Sequence, residues 1–536
     1  MPWFTSGNKL AGSFRIAAID AGSNGIRMAV AEARSSSEIE IVDSVRESVR
    51  LGHRVFTVRR LSRLTIKEAA RAFRRFRRLL DGYQIQQYRA VATSAAREAK
   101  NRDALLHRIR RDSGIALEVI GSAEESRLVR LAILKAVGEK VSPRWIVDLG
   151  GGSLEISLLR KRKLGKAMAL PLGTVRLMEM LRIGGAFTEE QCERVEHRIL
   201  SHLQSICPNV PSVSGGIAAG SGGNAEAFAR IFPGPTLSGI PSINLRLLRE
   251  RLWSILSLDI EERMEEFHVR RDRAEVLGVA AIVFSALSRH LKLRTMLVPG
   301  VGVKEGILWD LGTAHFAAIS PEAYAARFRP LLREVRRVAL RFHCDVTHAE
   351  QVRKLAAELF DEIAPARRLP NHLRLPLEIA SMLHEIGHII GGRSSHKHGE
   401  YITRHTEIAG LTETDRRMAA CLIRYQGDAD PDVSHKLYAS LSTRQRHQVC
   451  GLAGILRIAI ALNGEGQPLL KDVRVEVRRK QVRIRANPAD GSPLRLRILR
   501  RAARLFEQEF GCRVSFGRLR VRQRRNGSLS HSQRAA

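Results

Sequence analysis

Residues 145–159 read WIVDLGGGSLEISLL: a short apolar strand, an acid at its end, a glycine turn and a second strand. Gly150, Gly151 and Gly152 keep side chains out of the turn, so its backbone N–H groups can converge on an anion. Asp148 and Glu155 bracket that turn, where a divalent cation would meet phosphate oxygens. Alone, the pattern fits a plain tight hairpin better. A second copy near the N-terminus, AAIDAGSNGIRMAV at residues 17–30, aligns Asp20 with Asp148 and Gly22 with Gly150. Two such loops, one lobe apart, predict two similar half-domains facing a cleft. Neither is a Walker A loop, since no Gly-Lys-Ser/Thr follows, and neither opens a helix as a dinucleotide fingerprint does.

A chain of 536 residues with 44% apolar content is expected to form several globular domains. Its net charge of +34, from 89 Lys and Arg against 55 Asp and Glu, favours a polyanionic partner: nucleic acid, polyphosphate, a phosphorylated nucleotide or an anionic membrane. Aromatics at 5% argue against a single-strand binder built on stacking platforms. The basic run RAFRRFRRLL has a structural reading, because Phe73, Phe76 and Leu80 make one helical stripe with the arginines on the other side. Six cysteines (192, 207, 344, 421, 450, 512) in no close pairs fit reduced thiols and a cytoplasmic setting. The first residues lack the apolar core of a signal peptide, and the longest apolar run, Leu277 to Leu287, is too short for a membrane span.

Further motifs carry chemistry. In YRAVATSAAREAK (88–100), Thr93 or Ser94 can cap a helix from whose first turn Arg97 reaches a phosphate, or simply solvent. In GSAEESRLVRLAILKAV (121–137), Glu124 and Glu125 open a long helix, either as dipole-stabilising caps or with one aimed into a cleft as general base. IAAGSGGNAEAFA (217–229) is a third glycine turn opening a helix, an anion seat. TMLVPGVGVKEGILW (295–309) repeats strand, glycine turn and helix. From residue 311 to about 463 the pattern is helical. Two alternating strands, a helix and a closing strand follow to 516, and the Arg-, Ser- and Gln-rich tail from 517 is aperiodic, as in disordered segments.

Taken in order, AIDAGSNGIRM, AVATSAAREAKN, GSAEESRL, IVDLGGGSLE, LPLGTVRLMEM, GSGGNAEAFA, RDRAEVL and VPGVGVKEGIL resemble the motifs of the exopolyphosphatase and guanosine pentaphosphate phosphohydrolase (Ppx/GppA) family, over roughly residues 15 to 310. The resemblance implies an α/β chain of two actin/hexokinase-like (ribonuclease H-like) lobes, at 13–130 and 131–310. A helical HD-like domain at 311–465, a small α+β domain at 466–516 and a tail at 517–536 complete the expected layout. It implies hydrolysis of a terminal phosphoanhydride, with Glu125 as the base that positions water and Mg²⁺ or another divalent cation associated with Asp148, Glu155 and Asp20. Gly22, Ser23, Asn24, Arg97, Gly150, Gly151, Gly152, Ser153, Gly222, Gly223, Asn224 and Lys304 match its phosphate-binding positions. Asn224 stands where the family usually has Thr, and Lys304 where Arg is common, which bears on substrate preference. The implied substrate is inorganic polyphosphate or guanosine pentaphosphate, with no specific nucleic acid, no membrane span and a possible homodimer. The alternative is a polyphosphate- or nucleotide-binding regulator whose catalysis has decayed.

A second pattern lies at LHEIGHIIG (383–391), where His384-Glu385-x-x-His388 has the two-histidine zinc spacing but Ser394 stands where a third His would be needed. The better match is a degenerate HD-like helix, with Glu385 in place of the usual Asp and Gln426, Ile460 and Asn463 at altered positions; a carboxylate, His348 and His384 remain, and a complete metal centre is not expected. His396, His398 and His405 read as surface or packing histidines.

Overall fold

The structure, a computed structural model, describes residues 14–519 apart from 86, 183, 207–215, 318–320, 409 and 465–469. Each glycine hairpin opens its own sheet. β1 (Phe14–Gly22), β2 (Gly25–Ser35), β3 (Glu38–Glu47), β4 (Gln87–Ala92) and β5 (Leu117–Val119) lie in the order β3-β2-β1-β4-β5. β6 (Trp145–Leu149), β7 (Leu154–Arg160), β8 (Lys163–Leu170), β9 (Ala218–Ser221), β10 (Ser242–Asn244) and β11 (Thr295–Leu297) lie in the order β10-β11-β9-β6-β7-β8. Read from each hairpin, 3-2-1-4-5 recurs as 8-7-6-9-11. In both copies the first three strands are antiparallel and the next two run parallel to the hairpin's first strand. Short turns suffice for the antiparallel strands, whereas the parallel ones need helical crossovers. The duplication is the expected one, and it makes a mixed α/β architecture.

The helices that shape the first unit are α1 (Arg63–Gly82), α2 (Ser94–Glu98), α3 (Ser122–Ala136), α4 (Thr174–Leu181), α5 (Gly223–Ile231), α6 (Arg271–His290) and α7 (Val303–Ala317). On α1 the Phe73, Phe76 and Leu80 stripe is buried while Arg71, Arg74, Arg75 and Arg78 face solvent, and Ser62 caps the helix by accepting from Thr65 N–H at 3.0 Å. One apolar cluster joins the two sheets: Ile16, Ala18 and Ala29 from the first, Ile146, Ala219 and Leu297 from the second, with Leu128 and Ile133 of α3 and Ile307 of α7 between them. α3 and α7 cross so closely that a Cβ on Gly306 would stand 2.2 Å from the carbonyl oxygen of Leu128. Between the two halves of this unit, Arg46 pairs with Asp272, Arg50 with Glu275 and Arg176 with Glu98, and Asn24 Nδ2 donates to Asp272 O at 3.2 Å.

The chain divides between Arg327 and Phe328. The second unit contains α8 (Val346–Arg367), α9 (Arg374–Leu383), α10 (Ser395–His405), α11 (Glu413–Arg424), α12 (Thr443–Leu462) and α13 (Leu496–Phe510), with β12 (Leu470–Arg478), β13 (Gln481–Pro488) and β14 (Arg513–Gly517) in one sheet. Val352, Phe360, Leu452 and Ile455 share one core with Val482, Ile484, Leu499 and Phe506, so the segments 311–465 and 466–516, separate on the sequence reading, pack around common apolar contacts. Beyond β14, Leu519 exchanges backbone hydrogen bonds with the Asn487 side chain. Residues 520–536 of the tail lie outside the described residues. α9 stops at Leu383 and a 3-10 turn covers Ile386–Ile389, so His384 is buried, His388 is exposed, and the two do not share a helix face. Among the described residues no helix is long and apolar enough to cross a membrane. Cys192, Cys344, Cys421, Cys450 and Cys512 are free, and Cys207 lies outside the described residues.

Candidate active site

β1 and β6 deliver Asp20 and Asp148 to one cavity of about 110 Å³ in the first unit. Its wall takes Gly22, Ser23 and Asn24 from the first hairpin, Gly150, Gly151 and Ser153 from the second, and Gly222, Gly223 and Asn224 from the third turn. Glu125 enters from the first turn of α3. Gly222 has φ +89°, the left-handed region open to glycine, as the chain turns into α5. Asn224 Nδ2 donates to Leu149 O at 3.3 Å, tying the third turn to the second hairpin, and Ser23 Oγ meets Ser94 Oγ at 3.0 Å.

The remaining candidates stand off this wall. Glu155 is the direct cross-strand partner of Asp148 and is 3% exposed, so its carboxyl sits beneath the cavity on the same sheet face. Gly152 is a glycine for packing reasons: a Cβ there would fall 2.2 Å from Ser94 Oγ and 2.5 Å from the Phe56 ring. Arg97 Nη1 donates to Glu125 Oε2 at 3.2 Å and to Ile120 O at 2.8 Å, so it holds the acid in place. Lys304 faces an adjoining vestibule of about 760 Å³ and pairs with Glu305. The two neighbouring glutamates divide the roles left open by the sequence. Glu124 is bound by Arg89 at 2.8 Å and Arg127 at 2.7 Å, while Glu125 alone of the two lines the cavity.

Burial dominates the electrostatics of the cavity's carboxyls. Burial pushes Glu125 up to about 7, with Arg97 opposing and Asp148 and Asp20 reinforcing the shift. Burial likewise raises Asp20 and Asp148 to about 6, against the pull of Arg27. Burial and the charges of Glu125 and Asp148 hold Glu155 well above the usual carboxylate range. Asp20 Oδ1 and both oxygens of Glu155 are buried without a hydrogen-bond partner. Hard oxygen donors left unsatisfied in this way suit a hard divalent cation. No three of these carboxylates bring oxygens within 4.8 Å of one another.

Arg27, Arg46 and Arg273 also line the cavity, and the sequence reading gave none of them a role. One signal for Arg27 was present. The alignment that matches Asp20 to Asp148 also sets Arg27 on Glu155, each the cross-strand partner of its aspartate. The duplicated hairpins therefore differ in charge at one equivalent position. Arg273 lies inside the motif RDRAEVL, but only the fold brings its Nη1 to Asn224 Oδ1. A Cβ on Gly223 would stand 2.3 Å from Arg273 Nη2 and 3.6 Å from Arg27 Nη2, so two guanidinium groups converge over the third loop.

Residues 29–315 match the Ppx/GppA phosphatase family, and residues 332–516 match the family's domain III. The chain belongs to the Ppx/GppA phosphatase family. Solved structures resemble it. An exopolyphosphatase-like protein is 24% identical over 56% of this chain and 99% of its own, with a TM-score of 0.52. An exopolyphosphatase from Cytophaga hutchinsonii is 19% identical over 56% and 98%, with a TM-score of 0.51. The Aquifex aeolicus Ppx/GppA family member is 25% identical over 56% and 97%, with a TM-score of 0.47. Those chains span little more than half of this Ppx/GppA protein.

Proposed function

We propose that this Ppx/GppA phosphatase is an exopolyphosphatase-type hydrolase that removes the terminal phosphate of inorganic polyphosphate, of guanosine pentaphosphate, or of both. The observation that carries the reading is Glu125, a carboxyl raised to about 7 on the wall of a cavity made by three glycine turns. The turns at Gly22, Gly150 and Gly222 supply backbone N–H groups to phosphate oxygens. Glu125 takes the proton of the attacking water at a carboxylate oxygen, and Arg97 keeps that oxygen oriented. Arg27 and Arg273 neutralise charge on the transferred phosphoryl group, whose displacement needs alignment and electrostatics more than covalent help. Asp20, Asp148 and Glu155 would hold Mg²⁺, which when bound supplies charge neutralisation at the phosphate oxygens.

The adjoining vestibule favours a phosphate chain over a nucleobase. Arg27, Arg46, Arg230, Arg270, Arg273 and Lys304 lie on its wall with His268, against the acids Asp20, Glu226 and Glu305, so the wall carries a net positive charge. Orthophosphate release from long-chain polyphosphate and from guanosine pentaphosphate, each with and without Mg²⁺, tests the proposal. Mg²⁺-dependent release from at least one substrate is expected. Tight binding without release from either would leave a regulator.

A further inference from the structure

The motif LPLGTVRLMEM (170–180) packs against the second glycine turn, and Arg176 within it is not on the cavity wall. α4 begins at Thr174, and the first N–H groups of a helix have no acceptor inside it. Here they go to the turn: Thr174 N–H donates to Gly150 O at 3.1 Å and Arg176 N–H to Gly151 O at 3.0 Å. A side chain takes the third carbonyl, since Arg176 Nε donates to Gly152 O at 2.6 Å. All three glycine carbonyls are therefore bound by the start of one helix. Gly150 N–H closes the turn onto Ser153 O at 3.0 Å. The N–H groups of Gly151, Gly152 and Ser153, which lie outside every helix and strand, donate to no backbone carbonyl among the described residues.

The Arg176 guanidinium is itself fixed. It is 8% exposed, donates to both carboxylate oxygens of Glu98 (Nη1 to Oε2 at 3.0 Å), and its Cζ lies 4.4 Å from the centre of the Phe56 ring. A planar fork can serve a carbonyl and a carboxylate at once, which the single ammonium of lysine cannot. Glu98 follows Arg97 on α2, so one short helix holds the base with one residue and the support of the turn with the next. Gly173 packs on the same peptide: a Cβ there would stand 2.2 Å from Gly152 C and 2.3 Å from Ser153 N. Its φ of −69° suits any residue, so glycine stands there for space alone.

We propose that Arg176 is a positioning residue for the phosphate-binding turn. In a trans peptide the carbonyl and the following N–H point in opposite directions. By drawing the carbonyls of Gly150, Gly151 and Gly152 toward α4, Thr174 and Arg176 aim the N–H groups of Gly151, Gly152 and Ser153 at phosphate oxygens in the cavity. Glycine peptides left free to rotate would present carbonyl oxygens to the anion for part of the time, and those repel it. The inference rests on the phosphoanhydride reading of the cavity and adds to it a support that does not itself touch substrate.

The full-length parent, R176M, R176K, G173A and E98Q are compared for tungstate binding by calorimetry and for orthophosphate release from polyphosphate. R176M leaves the Gly152 carbonyl unheld and G173A displaces the same peptide. Each should weaken tungstate binding roughly 10–100-fold, the range for a lost hydrogen bond to a charged group. R176K, which donates without the fork, should recover part of that loss, and E98Q, which keeps the bond to Gly152, should cost less than R176M. In the release assay kcat/KM should fall with the tungstate affinity. The acid limb of the pH profile should stay in place, because Arg97 and not Arg176 touches Glu125. A residue of stability alone would lower the melting temperature and leave the affinity of the folded protein unchanged. That result in both R176M and G173A, an acid limb shifted in R176M, or a parent that binds no tungstate would overturn the proposal. Tungstate binding that responds to the variants in a chain that releases no orthophosphate would instead remove the hydrolase reading and keep the positioning role.

Discussion

Glu125 and Glu124 are adjacent in sequence, yet their surroundings give them different chemistry. Arg89 and Arg127 hold Glu124 below the usual carboxylate range although burial opposes them, while burial of Glu125 wins over its single arginine and raises it to about 7. A base must be ionised to act, so kcat/KM is expected to rise about tenfold per pH unit up to about 7 and to level off above it. The acid limb belongs to the coupled carboxylates together, and added Mg²⁺ should move it to lower pH. A pH–rate profile at several Mg²⁺ concentrations reads this. Glu125→Gln should lower phosphate release by roughly 10²–10⁴-fold while polyphosphate still binds; undiminished release would remove Glu125 from the mechanism. Glu155 gives a stability prediction of known sign. Its folded-state carboxyl titrates above the ordinary 4.5, so its favourable contribution is complete below that pH and is lost as pH rises through the folded value. In chelator at neutral pH, Glu155→Gln should raise the melting temperature and abolish activity. The gain should vanish near pH 4.5, and a lower melting temperature at neutral pH would contradict it.

At the scale of elements, the crossing of α3 and α7 positions the base. Leu128, one turn after Glu125, lies against Gly306, where a Cβ would meet the Leu128 backbone at 2.2 Å. Backbone cannot rotate away as a side chain can. Gly306→Ala should therefore cost about 1–3 kcal/mol and lower kcat as α3 shifts. Gly312→Ala on the same helix would meet only the Ile39 side-chain tip, at 2.4 Å, and should be milder. Thermal melts and phosphate release on both variants separate backbone from side-chain crowding; equal effects would show that the crossing is not the constraint. The hairpins themselves were legible, since strand, Asp, glycine turn and strand repeat in the sequence. The crossing was not, because a glycine inside a helical pattern does not say what it touches.

Over the whole molecule, the +34 charge becomes meaningful where the fold gathers it. Arg230 and Arg270 are exposed, far apart in sequence, and brought by the fold to the wall of one vestibule. For long-chain polyphosphate, KM should rise steeply from about 50 to 300 mM KCl with kcat nearly constant. The double variant R230Q/R270Q should raise KM at low salt and flatten that dependence. An unchanged salt profile would place the chain's path elsewhere.

The local order of residues determined the two duplicated lobes, the three glycine turns and the carboxylates at strand ends, because each is written in contiguous apolar and glycine patterns. Only the tertiary structure decided which charges meet. Arg27 and Arg273 converge over Gly223, and Arg97 rests on Glu125. Those pairings join residues far apart along the chain, so their energies depend on distances and burial that no run of neighbouring residues contains.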